Sequence, residues 1–355
     1  MDLIKKVKRR ERLTQKEAEA LYELDLFTLG ELADEIRQER FGKKSYFNIN
    51  RHINPTNICA DVCKFCAYSA SRKNPHQYTM SHEEILEIAT TAYNNGAKEV
   101  HIVSAHNPNS GIEWYMGAFK KIKDKLPSIH IKAMTAAEVD FLSRQYGLSY
   151  DEVLDRMIES GVDSMPGGGA EIFDEKVREY LCKGKVGSTE WLEIHQKWHE
   201  RGKESNATML FGHIESRANR IDHILRLREL QDRTGGFNAF IPLVYQKDNN
   251  FLKVQQYLTG QEILKTYAIS RILLDNISHI KAYWATASIN LALIAQEFGA
   301  DDLDGTIEKE SIQSAAGAKS RNGIDMNEFI NLIKNSGFIP VERDSLYNEV
   351  RYWKM

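Results

Sequence analysis

The stretch Asn57-Ile58-Cys59-Ala60-Asp61-Val62-Cys63-Lys64-Phe65-Cys66 carries three cysteines at the spacing C-x3-C-x2-C. It follows Tyr46-Phe47-Asn48-Ile49-Asn50, which reads as the first strand of the chain. A loop after the first strand is where parallel α/β folds place their chemistry. The cysteine loop therefore ties the reading of the fold to the reading of the site.

Beyond that loop a strand–loop–helix rhythm repeats. Ser81-His82-Glu83-Glu84 opens a helix that ends at Asn95-Gly96. Glu-Val-His-Ile-Val at 99–103 is a strand, and a helix over 114–125 leads to His-Ile-Lys-Ala-Met at 130–134. A helix over 150–160 precedes a short strand at 162–165. Strands at 206–211 and 237–242 each follow a helix that stops near glycine, at Gly202 and at Gly235-Gly236. Six strands follow from this pattern, with 280–284 as a seventh. Helical tracts cover 261–275 and 288–298, and the tail at 338–353 is mixed. Strands alternating with helices imply right-handed βα units and a parallel sheet. The expected fold class is α/β, a (βα) barrel with N-terminal helices and a C-terminal extension. The N-terminal helices run from Thr14 and Glu17, which read as a capping box, and over 29–39. The expected division is 1–44, an N-terminal helical extension; 45–285, the core barrel; and 286–355, a helical and mixed extension packed on it.

Composition narrows the function. With 355 residues the chain has the length of a single elaborated barrel. A net charge of -3, with no basic stripe, implies no nucleic-acid partner. The charged start MDLIKKVKRRERL lacks the apolar region of a secretory signal, and no run is long and apolar enough to span a bilayer. No membrane partner is expected, and the expected compartment is the cytoplasm, where crowded cysteines argue for a metal over disulfides.

Three thiolates on one short loop can wrap an iron–sulfur cube. Electron-transfer clusters of the [4Fe-4S] type take four cysteines, so three leave one iron open to a ligand. S-adenosylmethionine (SAM) fits that position through its amino and carboxylate groups, and an electron passed to its sulfonium releases a 5′-deoxyadenosyl radical. Other readings stand beside this one. A zinc site would need a fourth ligand, with His76 the nearest in sequence. A ferredoxin-like cluster, non-enzymatic, would recruit Cys182, which otherwise reads as a packing residue.

The C-x3-C-x2-C pattern with Phe65 before its last cysteine resembles the signature of the radical SAM superfamily. More of the chain carries the likeness: His52-Ile53-Asn54, Gly167-Gly168-Gly169-Ala170-Glu171-Ile172, SNATMLFGHIE at 205–215, HILRLRELQDRTGG at 223–236 and FGADDLDGT at 298–306. Together these resemble the menaquinone-pathway branch that includes aminofutalosine synthase, cyclic dehypoxanthinyl futalosine synthase and the FO synthase subunits. SNATMLFGHIE with FIPLVYQ is most similar to the aminofutalosine synthase family. The resemblance implies a [4Fe-4S] cluster on Cys59, Cys63 and Cys66, with SAM consumed as co-substrate. It implies addition of the adenosyl radical to the enol double bond of 3-[(1-carboxyvinyl)oxy]benzoate, an aryl enolpyruvyl ether. Aryl migration and loss of bicarbonate then give 6-amino-6-deoxyfutalosine. It also implies a one-electron donor such as a flavodoxin or a ferredoxin. One departure stands out. Radical SAM proteins often carry a Gly-Gly motif after the second strand, at the amino end of SAM, whereas this chain has Ser104 and Ala105 there.

Polar residues after the strands are the remaining candidates. They are His52 and Asn54, His106 and Asn107, Glu138, the 167–169 glycines with Glu171, then Gly212, His213 and Glu215, and finally Gln246 and Asp248. Gly168 is expected in a backbone cradle near the adenosyl group, or in a plain turn. Glu138 is expected to accept from the ribose hydroxyls of SAM, or to sit in solvent at a helix start. His213 is a candidate to bind or protonate substrate, or a structural histidine. The arginines of 217–233 read mostly as a wet helix face. FGADDLDGT reads as an acidic loop capping a helix, with a metal site as an alternative.

Overall fold

The computed structural model describes residues 3–70, 76–254, 258–307, 311–318 and 323–354. Ten strands lie in these residues: β1 (Lys44–Asn48), β2 (Asn50–Ile53), β3 (Glu99–Ile102), β4 (His130–Ala133), β5 (Ser205–Phe211), β6 (Phe237–Val244), β7 (His279–Ile280), β8 (Asp302–Gly305), β9 (Ile339–Arg343) and β10 (Glu349–Tyr352).

Polar and apolar residues alternate along β3 and β4, and period-2 geometry turns one set to each side of the sheet. Val100, Ile102, Ile131 and Ala133 join the apolar core with Ile85, Phe119 and Ile122 of the surrounding helices. Glu99, His101 and Lys132 point the other way, into a chamber inside the ring of strands. The polar face of these strands is thus the interior of the barrel and not the solvent side.

Hydrogen bonds run around the whole ring. β2, β3 and β4 pair in parallel. Single parallel bridges, Lys132 to Ser164 and Met165 to Ser205, carry the ring on to β5. β5, β6 and β7 follow in parallel, a bridge from Lys281 to Asp302 reaches β8, and β8 pairs with β1. β1 and β2 are halves of one strand bent at Ile49. The barrel is closed.

Three expectations change here. The expected strand at 280–284 is only His279–Ile280, and Trp284 already starts a helix, Trp284–Ala287. The acidic FGADDLDGT is not a loop capping a helix but contains β8, the last stave. Its carboxylates tolerate burial because each meets a cation. Asp301 bonds Arg271 and His279, Asp302 lies 2.6 Å from Arg343, and Asp304 lies 2.6 Å from Lys281. The boundary expected at 285 consequently falls inside the barrel. β9 also lies against β1 in parallel, and β10 pairs antiparallel with β9 beyond it.

The local signals behave as their chemistry requires. Thr14 with Glu17, and Ser81 with Glu84, form reciprocal capping boxes. The expected 29–39 helix runs Leu26–Phe41, and its buried Arg37 donates to the carbonyl of Ala300 at 3.1 Å. Among the described residues no helix is long and apolar enough to cross a membrane.

Candidate active site

The cysteine loop leaves the end of β2 and is held by its neighbours. At its base Thr56 bridges Thr79, while the Asn57 side chain donates to the carbonyl of His76 and accepts from the amide of Tyr78. Farther on, the amide of Ala60 donates to the carbonyl of His106 at 2.8 Å, and that of Lys64 to the carbonyl of Leu181 at 2.8 Å. The carbonyl of Lys64 accepts from the amides of Phe251 and Leu252. Three separate crossover segments thus fix the backbone that carries Cys59, Cys63 and Cys66. All three cysteines line one cavity of about 220 Å³, together with Phe65, Ser104, Ala105, Gly168, Glu171 and Lys185.

Charge around this cavity is paired. Lys185 and Glu171 lie 2.8 Å apart, and Asp61 and His106 also 2.8 Å apart. Burial alone would raise the Glu171 carboxyl, but Lys185 and then Arg178 hold it below its ordinary range. Asp61 behaves alike, with burial opposed by His106, and its carboxyl is lowered. Lys185 is raised well above an ordinary lysine, because Glu171, Cys63 and Cys182 outweigh its burial. Burial pushes the Cys59 thiol up. A hydrogen bond to Cys182, then burial, pushes Cys63 up. Cys182 is a buried residue behind Cys63 and is absent from the cavity wall.

The glycine run is rigid. A Cβ on Gly167 would stand 2.7 Å from the carbonyl oxygen of Asn206 and 2.8 Å from the amide nitrogen of Thr208, so glycine lets this turn press against β5. The buried Arg178 donates to the carbonyls of Gly169 and Ile172, and the Trp191 indole to that of Gly168. Gly168 is left facing the cavity.

Glu138 does not lie on the cavity wall. It is buried, and Oε1 accepts from the amide of Ser104 at 2.9 Å while Oε2 accepts from the amide and hydroxyl of Thr135. Both oxygens are engaged by protein, so Glu138 braces Ser104-Ala105 from behind and does not present itself to a ribose. His213 is also away from the cavity. Its Nε2 lies 3.0 Å from the carbonyl of Leu210, its Nδ1 accepts from the amide of Ile214, and Glu215 sits 3.0 Å away. Its ring supports the turn after β5, which is the structural alternative for this residue. His76 is exposed and off the cysteine cavity.

Below the cysteine cavity lies an inner chamber of about 140 Å³, which shares Val103, Thr135, Gly168, Thr208 and Leu243 with it as common wall. His52, Asn54, Asn206, Ile241 and Tyr283 line it, with the ion pairs Lys132–Glu99 at 2.7 Å and Lys281–Asp304 at 2.6 Å. Asn107 is buried and braces Thr56 and Thr79. Gln246 reaches the cavity wall, whereas Asp248 lines a separate surface pocket.

Sequence reading missed Lys185, Lys132 and Lys281, and the C-terminal Ile312, Gln313 and Ala316 that also line the cysteine cavity. A charged residue inside an alternating strand, as in His-Ile-Lys-Ala, was the signal available for Lys132. Nothing local marks the others.

The donor set fits an iron–sulfur cluster. Three thiols from one braced loop are arrayed along a cavity wall, and a buried cation, Lys185, offsets thiolate charge. Among the described residues, no three His, Cys, Asp or Glu side chains meet as a site for a single metal ion.

Comparison with known proteins agrees with this geometry. A model of the radical SAM superfamily matches residues 53–227, and one of the CofH/MqnC C-terminal region matches 234–354. The chain is 40% identical to an aminodeoxyfutalosine synthase of Thermus thermophilus, over 99% of this chain and 96% of that protein. It is 39% identical to that of Streptomyces coelicolor, over 99% and 94%. A cyclic dehypoxanthine futalosine synthase of S. coelicolor is 36% identical, over 96% and 86%. Among solved structures, methylornithine synthase superposes with a TM-score of 0.76 at 16% identity, over 96% of this chain and 97% of the other, a likeness of fold.

Proposed function

Because this chain belongs to the radical SAM superfamily, in the group with a CofH/MqnC C-terminal region, we propose that it makes 6-amino-6-deoxyfutalosine. It does so by adding the 5′-deoxyadenosyl group of SAM to 3-[(1-carboxyvinyl)oxy]benzoate, in the futalosine route to menaquinone. The observation that carries this is the adjacency of two spaces. The cysteine cavity and the inner chamber share Val103, Thr135, Gly168, Thr208 and Leu243 in their walls.

Cys59, Cys63 and Cys66 would hold a [4Fe-4S] cluster on the cavity wall. When bound, that cluster supplies the electron that cleaves a carbon–sulfur bond of SAM. The chain's residues do the rest by positioning. Ser104 and Ala105 are small enough for close backbone approach, and Glu138 fixes the Ser104 amide in place. Gly168 presents bare backbone at the junction of the two spaces. The inner chamber takes the aryl enol ether, with Ile241, Leu243 and Tyr283 as apolar wall and His52, Asn54 and Asn206 as hydrogen-bonding groups.

The electron comes from an external one-electron carrier of the flavodoxin or ferredoxin type, and the reaction belongs in the cytoplasm. We read 1–44 as a helical extension, and extend the core barrel from 45 through β8, with the remainder packed on it.

The test is one anaerobic turnover. The reconstituted, reduced protein is given SAM and the enolpyruvyl benzoate, and products are read by mass spectrometry. A covalent adenosine–benzoate adduct is expected. Free 5′-deoxyadenosine and methionine without adduct would overturn the substrate assignment and favour a hydrogen-abstracting reaction.

A further inference from the structure

The cluster must be reduced by an electron from outside before it can cleave SAM. The chain has four cysteines: three line the cavity, and the fourth, Cys182, lies against Cys63. A second cysteine-ligated cluster to relay the electron has no ligands. The electron must therefore cross the protein surface, and transfer falls steeply with distance, so the donor has to sit over the cysteine loop.

The surface above that loop is unusual. Val62, bonded directly to Cys63, is 76% exposed. Tyr180 and Phe251, both from segments held against Lys64 two residues on, are 53% and 47% exposed. Their adjacency is fixed by contacts. Phe251 donates its amide to the carbonyl of Lys64, the Lys64 amide donates to Leu181, and the Lys64 ammonium lies 3.3 Å from the Tyr180 ring centroid. Lysines border the apolar triad. Lys64 is within it, Lys183 is 81% exposed at the side chain, and Lys253 is exposed two residues beyond Phe251. The carboxylate of Glu179 is 3.7 Å from Lys183 and only partly offsets this charge. The whole chain carries -3, so the local positive balance runs against the whole.

We propose that Val62, Tyr180 and Phe251, rimmed by Lys64, Lys183 and Lys253, form the docking face for a small acidic one-electron carrier protein. The proposal rests on the cluster assignment above. The carrier loses one electron and the cluster gains it; no bond is made or broken. A small apolar centre with a charged rim suits a transient electron-transfer encounter, in which charge sets the association rate more than the affinity.

The test uses the cluster-loaded protein and reduced flavodoxin as probe. Bleaching of the cluster absorption is followed by stopped flow at low salt, with no benzoate substrate present. The double variant K183E/K253E should be reduced at least tenfold more slowly than the parent, and added salt should slow the parent towards the variant. Methyl viologen radical, a small cation that needs no docking face, should reduce the variant as fast as the parent or faster. F251A, which keeps its backbone bonds, should slow flavodoxin alone. Equal flavodoxin rates in parent and variants would overturn the proposal, and so would equal losses with both reductants. A protein that takes up no cluster overturns the cluster assignment together with this face. A loaded protein that forms no adduct leaves the docking measurement intact.

Discussion

Lys185 and Glu171 meet at 2.8 Å on the wall of the cysteine cavity, each side chain more than four-fifths enclosed. Glu171 holds this position with a backbone φ of +46°, in the left-handed region that a non-glycine residue seldom adopts. The pair links the turn after the glycine run to the segment beside Cys182, and it sets one cation against the thiols.

Removing one partner strands the other. Lys185→Met is expected to destabilise the fold by about 3–5 kcal/mol, the usual cost of an uncompensated buried charge. The double variant K185M/E171Q should recover most of that loss. Denaturant unfolding of the two variants and the parent checks it. Equal stability of the single and double variants would show that the pair is not coupled.

Cys63→Ala should abolish SAM cleavage while far-UV circular dichroism and the unfolding midpoint stay near those of the parent. The loop backbone is fixed by hydrogen bonds from Ala60, Lys64, Phe251 and Leu252, none of which uses the thiol. Normal 5′-deoxyadenosine production in the variant would refute the cluster assignment.

Two neighbouring glycines should fail differently. Gly167→Ala drives a methyl group into the backbone of Asn206 and Thr208, which cannot yield without moving β5. A loss of about 1–3 kcal/mol or more is expected. In Gly168→Ala the new methyl meets the Thr135 Cγ2 at 2.7 Å. That contact narrows the cavity, so weaker SAM binding is expected with a smaller loss of stability. Unfolding midpoints and SAM titration of the loaded protein separate the two effects.

Acid should weaken the fold before carboxylates titrate. His199 is buried between Thr234 and Ser205, and burial lowers it to about 4 from 6.5. A base with a lowered folded pKa stays neutral in the fold and becomes charged in the unfolded chain. The unfolded state therefore binds more protons below pH 6.5, and stability falls as pH drops from 6.5 to 4. The loss reaches about 3 kcal/mol for this one group. His199→Asn should flatten the slope of stability against pH in that window. An unchanged slope would place the acid sensitivity elsewhere, for example on His223, which burial lowers to about 3.

Much of the site was legible because its signals are local. The spacing of Cys59, Cys63 and Cys66 is set by a loop of a few residues, and Ser81 with Glu84 caps a helix within one turn. β8 was not legible. Asp301, Asp302 and Asp304 argue against a strand until Arg271, Arg343 and Lys281 arrive from distant parts of the chain. Glu138 was expected after its strand as an acceptor for the SAM ribose, but its direction depends on the Ser104 amide, 34 residues away in sequence.

Local spacing was enough to read three thiols on one loop, after the first strand, in a chain of alternating strands and helices. Tertiary structure decided which polar groups face the cavity. His213 was turned into the protein by the carbonyl of Leu210 and the amide of Ile214, while Lys185 was brought to the thiols from more than a hundred residues downstream. The physical reason is that ligand spacing and helix caps are satisfied by covalent neighbours, whereas a buried charge goes wherever its partner is, and that partner is chosen by the closure of the barrel.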